Sequence, residues 1–343
     1  MRNRIFLVQA RSELSRCLTE PSAYSDVGGS FQVCAYWITM KQMMGATDQI
    51  RRLMALGIGL IASIAFAEAA HAWGNDGHEI TAYIAEDNLS PAARAEVAAI
   101  LRVPDWPREV AAAMAAVSVL PDTEFRERDP KTISWHFINL CLQDDRAEVG
   151  FRCIAGQCVT AKINEYADRL RAGHYDAWGA RGDLAFLIHL VGDVYQPLHA
   201  ATNADQGGNC VLVNVKPPVK SLHIMWDVTL VDALESDIDS GDPRKTADVL
   251  NRKYLSMHTP MVWTATTSDR IAWQSLQTAS TQIYGRLGLP LMACTPKVSS
   301  CEHAPKNPVK ITFGYVNEES VVAGRQLAMA GFALADLLNS IWK

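Results

Sequence analysis

Two histidine–aspartate pairs share one spacing in this sequence. In "HLVGDVYQPLH", His189 and Asp193 are four residues apart and His199 follows six residues later. In "HIMWD", His223 and Asp227 repeat the four-residue interval. On an α-helix that interval returns to the same face, one turn on. Imidazole nitrogen and carboxylate oxygen are both zinc donors, at about 2.0–2.2 Å. One such pair alone reads equally well as a buried histidine hydrogen-bonded to an aspartate. Two pairs, with a third histidine behind the first, point to metal. Pro197 redirects the chain, so His199 can turn back toward the face of His189 and Asp193.

Further donors stand upstream. "LPDTEF" supplies Asp122, "WHFIN" supplies His136, and "AWGNDGHEI" supplies His78, five residues after Trp73. Each is unremarkable by itself, since an aspartate after proline is usually a turn or cap. His174, His258 and His303 have no suggestive neighbours.

The elements that must position these groups read mostly as helices. "DGHEITAYIAEDNL" has helical apolar spacing. "SPAARAEVAAIL" opens with Ser90 as N-cap and Pro91 in the first turn. "RGDLAFLIHLVGDVYQPLH" predicts a long apolar helix ending near Pro197, and "HIMWDVTLVDAL" predicts another. The C-terminal "NEESVVAGRQLAMAGFALADLLNSIW" is amphipathic over six or seven turns. Strand-like alternation is scarce, and "NCVLVNVKPP" is the one expected hairpin arm. The fold class expected is all-α: a single multi-helix domain with a small β-hairpin.

The N-terminal region carries a processing signal. Arg51 and Arg52 precede an apolar run of fifteen, Leu53 to Ala67, and Ala70-His71-Ala72 is a small-x-small site. That order is a secretory signal peptide, and the run is short for a membrane span of about 20 residues. The domain reading is therefore 1–43 as a non-native extension from an early start codon, 44–72 as signal peptide, and 73–343 as the functional domain. Met43 or Met44 is the expected initiator. Cleavage after Ala72 would deliver a secreted or periplasmic chain.

Residues 73–343 hold 25 lysines and arginines against 32 aspartates and glutamates. A broad basic groove for nucleic acid is excluded, so any attraction for phosphate must be local. Six of the eight cysteines lie in this region. An even number in an exported chain predicts disulfides, with Cys153–Cys158 as the local pair. Without a C-x-x-C motif, a cysteine zinc site is not expected.

Taken in order, these pieces resemble the zinc-dependent, single-strand-specific nucleases and 3′-nucleotidases of the S-one/P-one type. The resemblance runs over residues 73–343. It rests on Trp-x4-His, Pro-Asp, Trp-His-Phe-Ile-Asn, His-x3-Asp-x5-His, "DQGGN" (residues 205–209) and the second His-x3-Asp. It implies three zinc ions. Asp122, His136, His189 and Asp193 would hold the first. Trp73, through its α-amino nitrogen and carbonyl oxygen, would hold the second with His78 and a bridging Asp193. His199, His223 and Asp227 would hold the third. A free α-amine titrates near 7.7–8.0, so zinc can displace its proton near neutral pH. Signal cleavage would thus complete the centre.

The resemblance also implies the chemistry. A zinc-activated hydroxide would attack a phosphodiester, leaving 5′-phosphate products, or a 3′-phosphomonoester. Three zincs, three carboxylates and a bridging hydroxide leave about +2 in the pocket, strongly felt by phosphate at low dielectric. Single-stranded DNA and RNA, which can bend inward and stack a base on an aromatic ring, are the expected substrates, with 3′-nucleotides. Asp122, Asp193 and Arg126 form the implied catalytic set; Phe137 and Asn139 are the implied substrate contacts, although Phe137 reads equally as a core residue.

Two positions depart from the family pattern. Asn139 stands where an aspartate is common, which alters the expected base preference. Arg126 follows Asp122 by four residues where the family places three, and one residue turns a helical side chain about 100°. The alternatives are a zinc-dependent phospholipase C, whose last ligand would be Glu rather than Asp227, and a secreted zinc-binding protein without catalysis.

Overall fold

The computed structural model describes residues 73–215, 218–294, 301 and 304–343. The expected extension, signal segment and cleavage position before Trp73 lie outside the described residues. The expected all-α class is observed. The helices are α1 (Asn75–Asp87), α2 (Pro91–Leu101), α3 (Pro107–Ser118), α4 (Glu124–Arg128), α5 (Val149–Arg152), α6 (Val159–Ala172), α7 (Gly179–Tyr195) and α8 (Pro197–Ala200). They continue with α9 (Leu222–Ile224), α10 (Leu230–Asp237), α11 (Pro243–Tyr254), α12 (Thr267–Thr278) and α13 (Phe313–Ile341). Short 3-10 turns at Leu120–Asp122 and Pro130–His136, and π turns at Met225–Thr229 and Ala279–Gly285, join or extend them.

Local signals explain the boundaries. Ser90 caps α2 by accepting from the Ala93 amide at 3.1 Å, with Pro91 at the first position, where its missing N–H is no loss. Thr312 caps α13 through the Tyr315 amide, so that helix begins ahead of the "NEES" stretch. Pro197 pushes Gln196 out of the helical region, to φ −75 and ψ 118. This ends α7 at Tyr195 and starts the short α8.

α7 is the central element. Every residue from Gly182 to Tyr195 is buried, as expected of a helix apolar all round. α6 and α13 pack on it, and α13 also packs on α1, α10 and α11. By length and composition α13 could cross a membrane, but it serves as a core helix. A Cβ on Gly331 would fall 2.6 Å from the Ile84 side chain, so glycine there lets α1 and α13 approach closely. Leu334 and Leu338 are fully buried; truncating either to alanine is worth about 2–5 kcal/mol of stability.

Among the described residues, two small sheets accompany the helices. β1 (Leu140–Cys141) and β2 (Ala201–Thr202) pair in parallel. β3 (Leu212–Asn214) pairs antiparallel with β4 (Lys220–Ser221), matching the expected hairpin arm, and parallel with β5 (Val309–Lys310). Among the described residues, three disulfides join Cys141–Cys294, Cys153–Cys158 and Cys210–Cys301. The local Cys153–Cys158 pair was expected. The other two span 153 and 91 residues, separations that local sequence cannot disclose.

Candidate metal centre

Six chain segments deliver the donors. α1 carries His78, the 3-10 turn after α3 carries Asp122, and the next 3-10 segment ends on His136. α7 carries His189 and Asp193, α8 carries His199, and α9 with its π turn carries His223 and Asp227. The His136 segment is zipped to the His199 segment. The Ile138 amide donates to the His199 carbonyl at 2.8 Å, and β1 then pairs with β2. A π turn at a ligand-bearing helix is a frequent mark of a functional site.

The side chains meet in three buried groups. Asp122, His136 and His189 form one, His78, His189 and Asp193 a second, and His199, His223 and Asp227 a third. Asp193 touches more than one. Its Oδ2 lies 3.0 Å from His136 Nδ1 and 3.3 Å from His189 Nε2, while Oδ1 lies 3.5 Å from His78 Nε2. His136 Nδ1 is 3.4 Å from Asp122 Oδ1 and 2.9 Å from His189 Nε2. The rings of His78 and His189 stack with centroids 3.8 Å apart. His78 thus leans on His189 as well as on Asp193, a contact that sequence spacing did not suggest.

Hydrogen bonds decide which nitrogen faces inward. His189 Nδ1 donates to the Ser118 carbonyl at 2.6 Å, His199 Nδ1 to the His136 carbonyl at 2.8 Å, and His223 Nδ1 to the Gly207 carbonyl at 2.6 Å. A carbonyl can only accept, so each Nδ1 holds a proton, and in the neutral ring each Nε2 keeps its lone pair. His199 Nε2 and His223 Nε2 then face each other at 3.1 Å. Two lone pairs at that distance repel unless a cation lies between them. Two zinc–nitrogen bonds of about 2.0–2.1 Å at a tetrahedral angle set their nitrogens roughly 3.3 Å apart. Asp227 Oδ2 lies 3.2 Å from His223 Nε2 and has no hydrogen-bond partner. Nor do Asp193 Oδ1 or either His78 nitrogen. Buried polar atoms without partners are destabilising, and the donor set fits divalent metal.

The proton equilibria of His78, His199 and His223 suit ligation. Burial, and next the neighbouring His189, bring His78 down to about 3. Burial, and next His199, bring His223 down to about 3, and burial lowers His199. These imidazoles are therefore neutral, the form that binds metal. Burial also pulls on His189, but the charges of Asp193 and Asp122 outweigh it and lift that ring to about 8. Burial would raise Asp193, yet His189 and His136 hold it far below the usual carboxylate range. Burial pushes Asp227 well above that range, although Gln196 donates to it. A buried carboxylate of this kind calls for a cation.

The remaining expected residues are placed as follows. Trp73 is fully buried, and its indole Nε1 donates to the Gly192 carbonyl at 3.1 Å. The next amide, Gly74, donates to the Asp227 carbonyl at 2.9 Å. Gly77 permits this packing, because a Cβ there would lie 2.7 Å from Trp73 Cβ. Arg126 Nη2 lies 3.6 Å from Asp122 Oδ1. Thr123, with φ −113 and ψ −100, separates the 3-10 turn from α4. Phe137 is half-buried beside His136 and outside the buried core, and Asn139 is exposed.

Sequence reading missed three supporting groups: the carbonyls of Ser118 and Gly207, and the side chain of Gln196. Gln196 left a signal, an N-cap position ahead of Pro197 between Asp193 and His199, and Gly207 lay within the quoted "DQGGN".

The S1/P1 Nuclease family model matches residues 73–343. Endonuclease 2 of Arabidopsis thaliana is 25% identical over 290 residues, covering 79% of this chain and 91% of the relative. Endonuclease 3 of the same plant is 26% identical over 312 residues, covering 83% and 94%. Nuclease S1 of Aspergillus oryzae is 26% identical over 198 residues, covering 56% and 66%. Since the match takes in every donor from His78 to Asp227 and most of the chain's length, this protein belongs to the S1/P1 nuclease family and is a phosphodiester-hydrolysing nuclease.

Proposed function

We propose that the protein is a zinc-dependent endonuclease for single-stranded DNA and RNA that also accepts 3′-nucleotides. The observation that carries the metal reading is the opposed pair of His199 and His223 Nε2 atoms, each with its other nitrogen committed to a carbonyl. The ligand sets proposed are Asp122, His136, His189 and Asp193; Trp73, His78 and Asp193; and His199, His223 and Asp227. Bound zinc supplies a Lewis acid and a water acidified to near-neutral pKa.

The chain's own groups do the rest. Asp193 offers one oxygen to each side, which supports a bridging role. The backbone-tied imidazoles hold their lone pairs fixed, so little reorganisation accompanies reaction. Arg126, directed at Asp122, brings a fixed positive charge to the phosphate. Phe137, half-buried next to His136, offers a face for one base. The donors are buried, so a stiff duplex cannot carry its backbone to them, whereas a flexible strand can bend inward. The leaving group is the 3′-oxygen, so a phosphodiester yields a 5′-phosphate end and a 3′-hydroxyl, and a 3′-nucleotide yields inorganic phosphate and a nucleoside.

Export is proposed with cleavage after Ala72 to a secreted or periplasmic location. Three disulfides support an oxidising compartment. The free amine of Trp73 would then be available as a ligand.

The test uses the chain beginning at Trp73, assayed on single-stranded DNA, RNA, duplex DNA, 3′-AMP and phosphatidylcholine, with and without chelator. Single strands should be cut faster than duplex, and zinc should restore activity after chelation. Hydrolysis of phosphatidylcholine without nucleic acid cleavage would contradict the reading.

A further inference from the structure

One buried glutamine, through its side chain and backbone together, links three of the donors without being one itself. Gln196 is fully buried. Its Oε1 accepts from the Leu198 amide at 2.5 Å, capping the short helix that carries His199. An amide N–H must meet the oxygen of the carboxamide, so Nε2 is left to face Asp227, and it donates to Oδ1 at 2.5 Å. The Gln196 backbone continues the link. Its N–H donates to the Asp193 carbonyl at 2.9 Å, and its carbonyl accepts from the His199 amide at 3.0 Å.

This geometry has a directional effect. With Oδ1 of Asp227 engaged, Oδ2 is the oxygen turned toward His223 Nε2 at 3.2 Å. His199 Nε2 stands 3.1 Å from the same nitrogen. Gln196 therefore sets the rotation of one donor of this group and the helical turn of another. Neither serine nor threonine could span both partners. Glutamate could keep the cap at Leu198 but would present an oxygen to the Asp227 carboxylate.

We infer that Gln196 is the positioning residue of the His199–His223–Asp227 metal position, needed for its occupancy and dispensable for the other two. This rests on the three-metal reading above. Outer-shell partners of this type change metal affinity by about 10–100-fold.

The experiment compares the chain beginning at Trp73 with its Gln196→Glu and Gln196→Met variants. Zinc per chain is measured by native mass spectrometry against buffered free zinc, and unfolding of the metal-free proteins is followed by circular dichroism. Gln196→Met keeps the side-chain volume without charge, so it answers the question where Gln196→Glu does not fold. The expected result is a zinc affinity weakened about 10–100-fold at one position of three. The metal-free unfolding midpoint should stay within a few degrees of the parent. Fewer than three zincs in the parent overturns the three-metal reading, and this inference with it. Three zincs in the parent, with three at parent affinity in either folded variant, overturns the inference alone. So does failure of both variants to fold, or loss of all zinc in either.

Discussion

Asp193 Oδ1 lies 3.5 Å from His78 Nε2, across a gap that no hydrogen bond closes. The second oxygen of the same carboxylate faces His136 at 3.0 Å. One side chain therefore addresses two groups of donors, and both should fail when it loses its charge. Asp193→Asn is expected to lower zinc from three per chain to one, measured by inductively coupled plasma mass spectrometry on folded protein. Loss of a single zinc would show that the carboxylate does not bridge.

Arg126 is directed at Asp122 from a short helix, α4, and its role should be separable from metal binding. Arg126→Ala is expected to reduce kcat on single-stranded DNA by about 10²–10³-fold, the range for removing one fixed donor from a transition state. Zinc content should be unchanged. A reduction smaller than about threefold would place Arg126 outside the reaction.

Gly207 accepts the proton-bearing side of His223 through its carbonyl, and its backbone has φ +60. A Cβ there would lie 2.5 Å from the Leu198 carbonyl oxygen. Gly207→Ala combines an unfavourable conformation with a clash against backbone. It is expected to lose about 1–3 kcal/mol and to weaken zinc at the His223 position. Denaturant unfolding of the metal-free protein and zinc titration read the two effects separately.

How much of this could be seen beforehand depends on whether the determinant is local. The His189–Asp193 and His223–Asp227 pairs were legible because four-residue spacing is itself a helical contact. Pro197 showed where α7 ends. Ser90 showed where α2 begins. The pairing of β1 with β2 was not legible, because two-residue strands carry no periodicity. The stacking of His78 on His189 joins residues more than a hundred positions apart. The tautomers of His189, His199 and His223 depend on the Ser118, His136 and Gly207 carbonyls, and every residue has a carbonyl. The role of Gln196 depends on Asp227, 31 residues away, which local spacing does not reveal.

Glu86 on α1 offers a pH test away from the metal centre. Its side chain is buried with Oε1 unpartnered. Burial, and next the charge of Asp87, push its carboxyl up to about 7. A carboxyl with a raised folded pKa binds its proton more tightly in the native state. Its penalty is absent below the unfolded pKa, grows as pH rises from there, and is complete above the folded pKa. Glu86→Gln should therefore be more stable than the parent by about 1–3 kcal/mol at pH 8 and equal to it at about pH 3.5, below the unfolded pKa. Denaturant midpoints at the two values decide it; a stabilisation that is the same at both would reject the assignment.

The most direct test of the central claim is zinc per chain in two otherwise identical proteins. One begins at Trp73 and the other carries additional residues ahead of it. The account predicts three zincs in the first and two in the second, because a peptide nitrogen cannot replace the terminal amine. Three in both would contradict ligation by the unmasked amine, and fewer than three in the first would contradict the trinuclear centre itself.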